Sequence, residues 1–334
     1  MPFETVSVII PCFNEQATIR LLLEAIYLQN YPRTAIEVII VDGMSTDRTR
    51  DEINTFQQDH SDLAIQTIDN PARFIPTGLN LGISTACGQI LIRLDGHAVP
   101  TPEYIMRCVN DLNEGLGDNV GGVWDIHPAR AGMIARGIAA AASHPLGVGD
   151  ARYRYTDQPQ SVDTVPFFAF RRGLIDRIGK YDESLLTNED YEFNVRVRQS
   201  GGTVWLDPAI RSTYYARPTL GALARQYWRY GYWKGRMLLR YPRTLRWRQA
   251  LPPAFIASLV GLAFLTLVLP FIRWLLVGEI AIYSLVLLVA GAWMAIKQHH
   301  ASLLFSLPQA IAIMHLSWGA ALWWSLIKFM LTKI

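Results

Sequence analysis

Cysteine is scarce in this 334-residue chain: Cys12, Cys87 and Cys108 are odd in number, scattered, and form no CxxC pair. That excludes a disulfide framework and a thiolate zinc site, and it suits a reducing compartment. Neither a G-x-G-x-x-G turn nor a G-x-x-x-x-G-K-[ST] loop is present, so a Rossmann dinucleotide site and a P-loop are both excluded. The N-terminus, MPFETVSVII, lacks a basic n-region, and its apolar stretch is too short and β-branched for a signal-peptide core. The front of the chain is therefore expected to stay in the cytoplasm.

Acidic residues are almost missing from the C-terminal third. Residues 217–334 hold 13 of the 31 Lys and Arg but a single acid, Glu279, which leaves 18 basic and 27 acidic side chains in residues 1–216. An acidic front and a basic, apolar back are two physical objects. Charge is also missing in long runs. Gln249–Ile272 carries none, Trp274–Ile296 only Glu279, and Gln298–Ile327 no Lys, Arg, Asp or Glu. A membrane-spanning helix needs roughly 20 apolar residues, so three spans are expected, with Pro270, Pro308 and His315 leaving room for a kinked or re-entrant segment. Nine positive charges from Arg217 to Arg248 place the flank before the first span in the cytoplasm. Three spans put the C-terminus on the other face, against the pull of Lys328 and Lys333. The stretch Leu220–Arg248 mixes its cations with Tyr227, Trp228, Tyr230, Tyr232 and Trp233, the composition of a helix in the headgroup plane. Such a mixture also fits single-stranded nucleic acid. Adjacency to the apolar runs favours membrane lipid, and no nucleic acid partner is expected.

The front alternates strand and helix. Val6–Pro11 is a continuous apolar run, as a buried parallel strand requires. Glu15–Gln29 has helical periodicity, Val38–Val41 is the next strand, and Ser45-Thr46-Asp47 offers cap chemistry for a helix of about a dozen residues. A third strand is expected over Leu63–Ile68, a helix over Gly78–Ala86 and a fourth strand over Gln89–Asp95. The series βαβ implies an α/β fold with a mainly parallel sheet covered on both faces. Beyond about residue 120 short strands are expected at Val120–Ile126, Thr164–Arg171 and Thr203–Leu206, with a helix over Asn188–Ser200.

Ligands of an open parallel sheet sit beyond the carboxyl ends of its strands. Three of those ends carry polar groups: Pro11-Cys12-Phe13-Asn14-Glu15, Asp42-Gly43-Met44-Ser45-Thr46-Asp47 and Asp95-Gly96-His97. With the two phosphate loops excluded, this points to a nucleotide site of another kind. The motifs VSVIIPCFNE (6–15), VIIVDGMSTDRT (38–49), GLNLGI (78–83), the D-x-H triplet at 95–97 and NED at 188–190 look like family 2 glycosyltransferases of the GT-A fold. The likeness spans about residues 5–215. The apolar tail, with RLDGHAVP and RQYWRYGYWKG, resembles bacterial succinoglycan-type exopolysaccharide glycosyltransferases.

The resemblance assigns roles. Asp95 and His97, at i and i+2, would hold a divalent cation against the diphosphate of a sugar nucleotide. The family has an acid where this chain has His97, and the softer imidazole tilts the choice of ion from Mg2+ towards Mn2+. Asp42 resembles the acid that contacts the base or ribose, Pro11 and the strand before it line the base pocket, and Asn14 and Arg73 join the nucleotide-sugar site. Glu15 has two readings, a nucleotide-site acid or a first-turn acid favoured by the helix dipole. Asp190 would be the general base for in-line attack, with Glu189 assisting, although acids open a helix there in any case. Gln226, Arg229 and Tyr230 share a helix face at i, i+3 and i+4 and resemble the Q-x-x-R-W motif of processive synthases, with Tyr for Trp; anchoring of an interfacial helix is the plain alternative. The loop His144–Asp150 either closes over substrate or simply connects.

The expected architecture is a cytoplasmic GT-A domain over 1–216, a basic aromatic helix region over 217–250 and an all-α membrane domain over 251–334. The expected activity is inverting, metal-dependent hexosyl transfer from a UDP-sugar to a polyprenyl-linked saccharide in exopolysaccharide or envelope glycan synthesis. A processive polysaccharide synthase, a polyprenyl-phosphate sugar synthase and a non-catalytic membrane scaffold stay open, as do a homo-oligomer and an envelope-synthesis complex.

Overall fold

The computed structural model describes residues 3–331, so Lys333 lies outside the described residues. The strands are β1 Val6–Cys12, β2 Ile36–Asp42, β3 Ala64–Asp69, β4 Ile90–Arg93, β5 Val99–Pro100, β6 Asn119–Pro128, β7 Gln160–Ser161, β8 Ala169–Arg171 and β9 Val204–Ala216. The helices are α1 Ile19–Tyr27, α2 Thr49–Asp59, α3 Ile75–Thr85, α4 Tyr104–Asn113, α5 Met133–Ala142, α6 Pro145–Val148, α7 Gly173–Ile178, α8 Glu189–Gln199, α9 Leu220–Leu238, α10 Trp247–Thr266, α11 Arg273–Lys297 and α12 Leu303–Leu331. They fall into two compact units. One comprises the chain up to Asp125 with Tyr155–Tyr214, the other Ile126–Arg154 with the chain from Tyr215 on.

The first unit is built on one mixed sheet in the order β3-β2-β1-β4-β8-β6-β9-β5, with β7 beside β9. β3, β2, β1 and β4 are parallel, and β8 turns antiparallel on β4. Both faces of the parallel half are covered, which explains the unbroken apolar runs. Val8, Ile10, Val38 and Ile40 pack in one core with Leu22, Ile26 and Phe56. Their odd-numbered neighbours meet α3, whose glycines allow close approach. A Cβ at Gly82 would lie 2.3 Å from Ile9 Cγ2, and one at Gly78 3.4 Å from Val41 Cγ1. These are the two glycines of GLNLGI.

Three boundaries differ from expectation. α1 begins at Ile19 rather than Glu15, and the residues just before it form a turn tied to the β2 loop, the amides of Glu15 and Gln16 donating to Thr49 Oγ1 (2.8 Å) and Asp47 Oδ2 (3.2 Å). β9 runs thirteen residues, far beyond Leu206. Its length is set by pairing with β5 and β7, partners distant in sequence. Residues 133–148, read as loosened structure, form α5 and α6 and belong to the second unit.

In the second unit α10, α11 and α12 are each long and apolar enough to span a membrane. α9 lies along α12 through small residues: a Cβ at Gly231 would lie 2.2 Å from the Trp318 carbonyl oxygen, and one at Gly235 2.7 Å from Ser325 Cβ. One face of the basic aromatic helix is thus a protein contact.

Candidate functional site

The carboxyl ends of β1 and β2 are knitted together by their loops. Asn14 takes a left-handed conformation (φ 56°), which a short amide side chain tolerates, and so does Met44 (φ 62°), where a long side chain is strained. The strain is held by cross-bonds: Thr46 N donates to Asn14 Oδ1 (2.8 Å), Asn14 N donates to Ser45 Oγ (2.9 Å), and Arg48 N donates to Gln16 Oε1 (3.1 Å). Asp42, wholly buried, ends β2. It accepts from Ser45 Oγ (2.5 Å) and from Arg50 Nε (2.6 Å), while Arg50 also reaches Asp69 (2.6 Å) at the end of β3. Pro11 is buried in β1 opposite Val41. Burial and the charge of Asp42 push the Cys12 thiol up to about 12, so it is no nucleophile.

The end of β4 joins the same crevice. A Cβ at Gly96 would meet Glu15 Cγ at 3.0 Å and Cys12 Cβ at 3.2 Å, so this loop lies in tight contact with the β1 turn. His97 Nδ1 lies 3.3 Å from Glu15 Oε1, and Thr18 Oγ1 donates to Glu15 Oε2 (2.6 Å). Glu15 is thereby an orienting acid for His97.

α8 brings the second pair of acids. Its Phe193 stacks on Phe168 (5.4 Å between centroids) and Tyr181 (4.8 Å), which fixes the helix to the sheet. Asn80 of α3 secures the approach by accepting from Tyr181 N (2.9 Å) and donating to Glu183 Oε1 (2.8 Å). At its N-terminus Asn188 is left-handed (φ 66°), Glu189 is buried, and Asp190 Oδ1 accepts from Tyr191 N (2.7 Å).

Arg93 links the two halves. This buried side chain donates to Asp95 Oδ1 (3.2 Å) and to Glu189 Oε1 (2.8 Å), so the end of β4 and the start of α8 share one cation. Stranding a buried carboxylate by removing such a partner costs about 3–5 kcal/mol. Burial pushes the Glu189 and Asp190 carboxyls above their ordinary values, with Arg93 opposing; the charge of Asp95 adds to both rises, and that of Asp190 to the rise of Glu189. Sequence reasoning passed over Arg93, although a lone cation inside I-L-I-R-L was the available signal.

The structure brings Asn14, Glu15, Asp42, Asp95, His97, Glu189 and Asp190 to one edge of the sheet. Arg73 is exposed and left-handed (φ 63°) after β3, and its amide donates to the Asn70 carbonyl (3.0 Å). Gln226, Arg229 and Tyr230 belong to the second unit. There Gln226 is buried and donates to Tyr230 Oη (3.0 Å), and Arg229 is exposed.

Among the described residues no group of three His, Cys, Asp or Glu side chains could hold a metal alone. One carboxylate and one imidazole still suit a divalent ion whose shell is completed by phosphate oxygens and water. The contact of His97 Nδ1 with Glu15 is the kind of carboxylate support that orients an imidazole ligand for a metal on its other nitrogen. The donor set therefore fits.

The model of Glycosyl transferase family 2 matches residues 7–179. The succinoglycan biosynthesis protein ExoA of Rhizobium meliloti (strain 1021) is 29% identical over 326 residues, 96% of this chain and 95% of that protein. A Methanococcus voltae enzyme, dolichyl N-acetyl-alpha-D-glucosaminyl phosphate 3-beta-D-2,3-diacetamido-2,3-dideoxy-beta-D-glucuronosyltransferase, is 29% identical over 248 residues, 72% of this chain and 76% of that protein. Among solved structures, the mannosyltransferase PcManGT from Pyrobaculum calidifontis, in complex with GDP-Man and Mn2+, shares the fold with a TM-score of 0.58 at 22% identity. It covers 93% of this chain and 87% of that one.

Proposed function

The chain belongs to Glycosyl transferase family 2, and on that footing we propose that it is an inverting, metal-dependent hexosyltransferase of the cytoplasmic membrane. Its donor is a UDP-sugar, and its acceptor is a polyprenyl-linked saccharide of exopolysaccharide or cell-envelope glycan synthesis. One relative is named for succinoglycan biosynthesis, which supports a role in exopolysaccharide synthesis, and another for a dolichyl phosphate-linked sugar, which supports a lipid-borne acceptor. Residues 1–216, apart from the Ile126–Arg154 segment that folds with the second unit, act as the cytoplasmic donor domain, 217–250 as the basic aromatic helix region and 251–334 as the membrane domain.

The observation that carries this reading is the Arg93 bridge between Asp95 and Glu189 at the rim of the nucleotide crevice. Asp42, Asn14 and Pro11 line the base and ribose side. Asp95 and His97 would hold the divalent ion, which would offset charge on the leaving diphosphate. Glu189 is pinned by Arg93, so Asp190 takes the proton of the acceptor hydroxyl. The acceptor oxygen bonds to the anomeric carbon as the carbon–oxygen bond to the diphosphate breaks, and the single displacement inverts the centre. Burial raises Asp190 towards the working pH, where a base is most effective. Gln226, Arg229 and Tyr230 are the residues of the basic aromatic helix proposed for donor or acceptor.

Donor binding tests the nucleotide half of the proposal. In detergent with Mn2+, UDP at a hundredfold its Kd is expected to add about 2.7 kcal/mol to stability, read as a rise in Tm. Asp42→Ala should lose that rise. A rise with GDP and none with UDP would reassign the nucleotide.

A further inference from the structure

We infer that α10 and α11 alone cross the membrane, as a hairpin, while α12 lies across its base on the side where α9 ends. The inference rests on the second unit only and is independent of the chemistry assigned above.

The three helices have similar composition but different surroundings. α10 and α11 are largely bare around the turn that joins them: Val260, Phe264, Leu267, Val268, Phe271, Trp274 and Leu275 are 61% or more exposed, while Ile272 is buried. Bare apolar surface on every side of two helices is a lipid-facing arrangement. α12 instead buries Leu303, Leu307, Ala310, Ile311, Met314 and Ala321.

What covers α12 is charged. α5 lies on its first turns, where a Cβ at Gly137 would stand 2.5 Å from Ser306 Cβ and Arg136 Nη1 donates to Ser302 Oγ (3.4 Å). Next comes α6, whose Leu146 carbonyl lies 2.7 Å from His315 Nε2. α9 follows through Gly231 and Gly235, as far as Ser325. From Ser302 to Ser325 is about 35 Å of helix, more than the roughly 30 Å of a hydrocarbon core. Along that length the cover brings Arg225, Arg229 and Arg236, all exposed. It also brings Lys234 on the Thr244 carbonyl (3.1 Å), and the neighbouring pair Arg246–Asp150 (3.1 Å). Each cation at bilayer depth costs about 2.5–3.5 kcal/mol, so α12 with this cover does not cross.

The hairpin has the opposite features. α12 touches it through Gly291, Pro252 and Pro253, in the half remote from the turn, and through Tyr283 near its middle. Arg248 over Trp247 (5.1 Å) and Lys297 over Trp293 (4.8 Å) mark one rim, and Arg273 over Trp274 (5.3 Å) marks the turn. Such cation–aromatic pairs belong at the two interfaces of a bilayer. The twenty residues of α10 give about 30 Å between those rims. The lone acid inside, Glu279, accepts from Ser258 Oγ (3.0 Å) across the hairpin. By the positive-inside rule the rim with Arg240, Arg243, Arg246, Arg248 and Lys297 is cytoplasmic, and the end of α12 lies there too.

Single cysteines in the full chain, made in a Cys87→Ser background, test this with a membrane-impermeant maleimide. Phe271→Cys should label in intact spheroplasts, whereas His299→Cys and Lys328→Cys should label only after lysis. A green fluorescent protein fused after Ile334 should be fluorescent, which guards against a variant that fails to fold. Labelling of Lys328→Cys from outside, a dark fusion, or Phe271→Cys labelled only after lysis would each overturn the inference.

Discussion

Asp190→Asn is expected to lower kcat by about a hundred- to ten-thousandfold while leaving the donor Kd unchanged. The amide keeps the size and can still accept from Tyr191 N, so helix α8 keeps its start. What is lost is the proton acceptor. The pH profile gives a second reading of the same residue. A base works deprotonated, and burial raises both Asp190 and Glu189, so kcat/KM should fall as pH drops through a limb above the ordinary carboxylate value of about 3.9. Residual turnover of Asp190→Asn should lack the part of that limb due to Asp190. Donor binding that weakens as much as turnover slows would show that the residue holds substrate instead.

Removing the metal should cost about as much. Transfer is expected to stop in EDTA and to return with Mn2+, with Mg2+ equal or weaker. Asp95→Ala should lose about a thousandfold, since the carboxylate carries the charge that holds the ion beside the diphosphate. His97→Ala should lose less. His97→Asp should keep activity and shift preference towards Mg2+, because it restores an all-oxygen donor set. Full activity in EDTA would remove the ion from the account.

Much of the parallel half was legible because its signal is local. β1 and β2 are apolar on both faces, so each appears as a continuous run, and the strand ends fall at Cys12 and Asp42 as the turn residues require. The motif glycines were equally legible, and contact with Ile9 and Val41 supplies their reason. The antiparallel half was not. β8 is three residues long and β9 thirteen, lengths decided by partners far away in sequence. In the candidate site, Asp42 and Asp95 stand out in the sequence as acids at strand ends, and Glu189 and Asp190 stand out through the NED motif that opens a helix. Arg93 does not, since its meaning depends on Glu189, 96 residues away. Hydropathy likewise gave three equivalent apolar runs. What separates α12 from the other two is a set of close contacts at Gly137, Gly231 and Gly235, which a hydropathy window cannot register.

The most direct test is transfer itself. Membranes containing the protein are incubated with Mn2+ and a panel of labelled nucleotide sugars, and the lipid fraction is extracted and its products analysed for anomeric configuration. Label from a UDP-sugar should enter a lipid-linked saccharide with the anomeric centre inverted, and Asp190→Asn membranes should leave the fraction unlabelled. No lipid-borne label from any nucleotide sugar, or a product that retains the donor's configuration, would contradict the account.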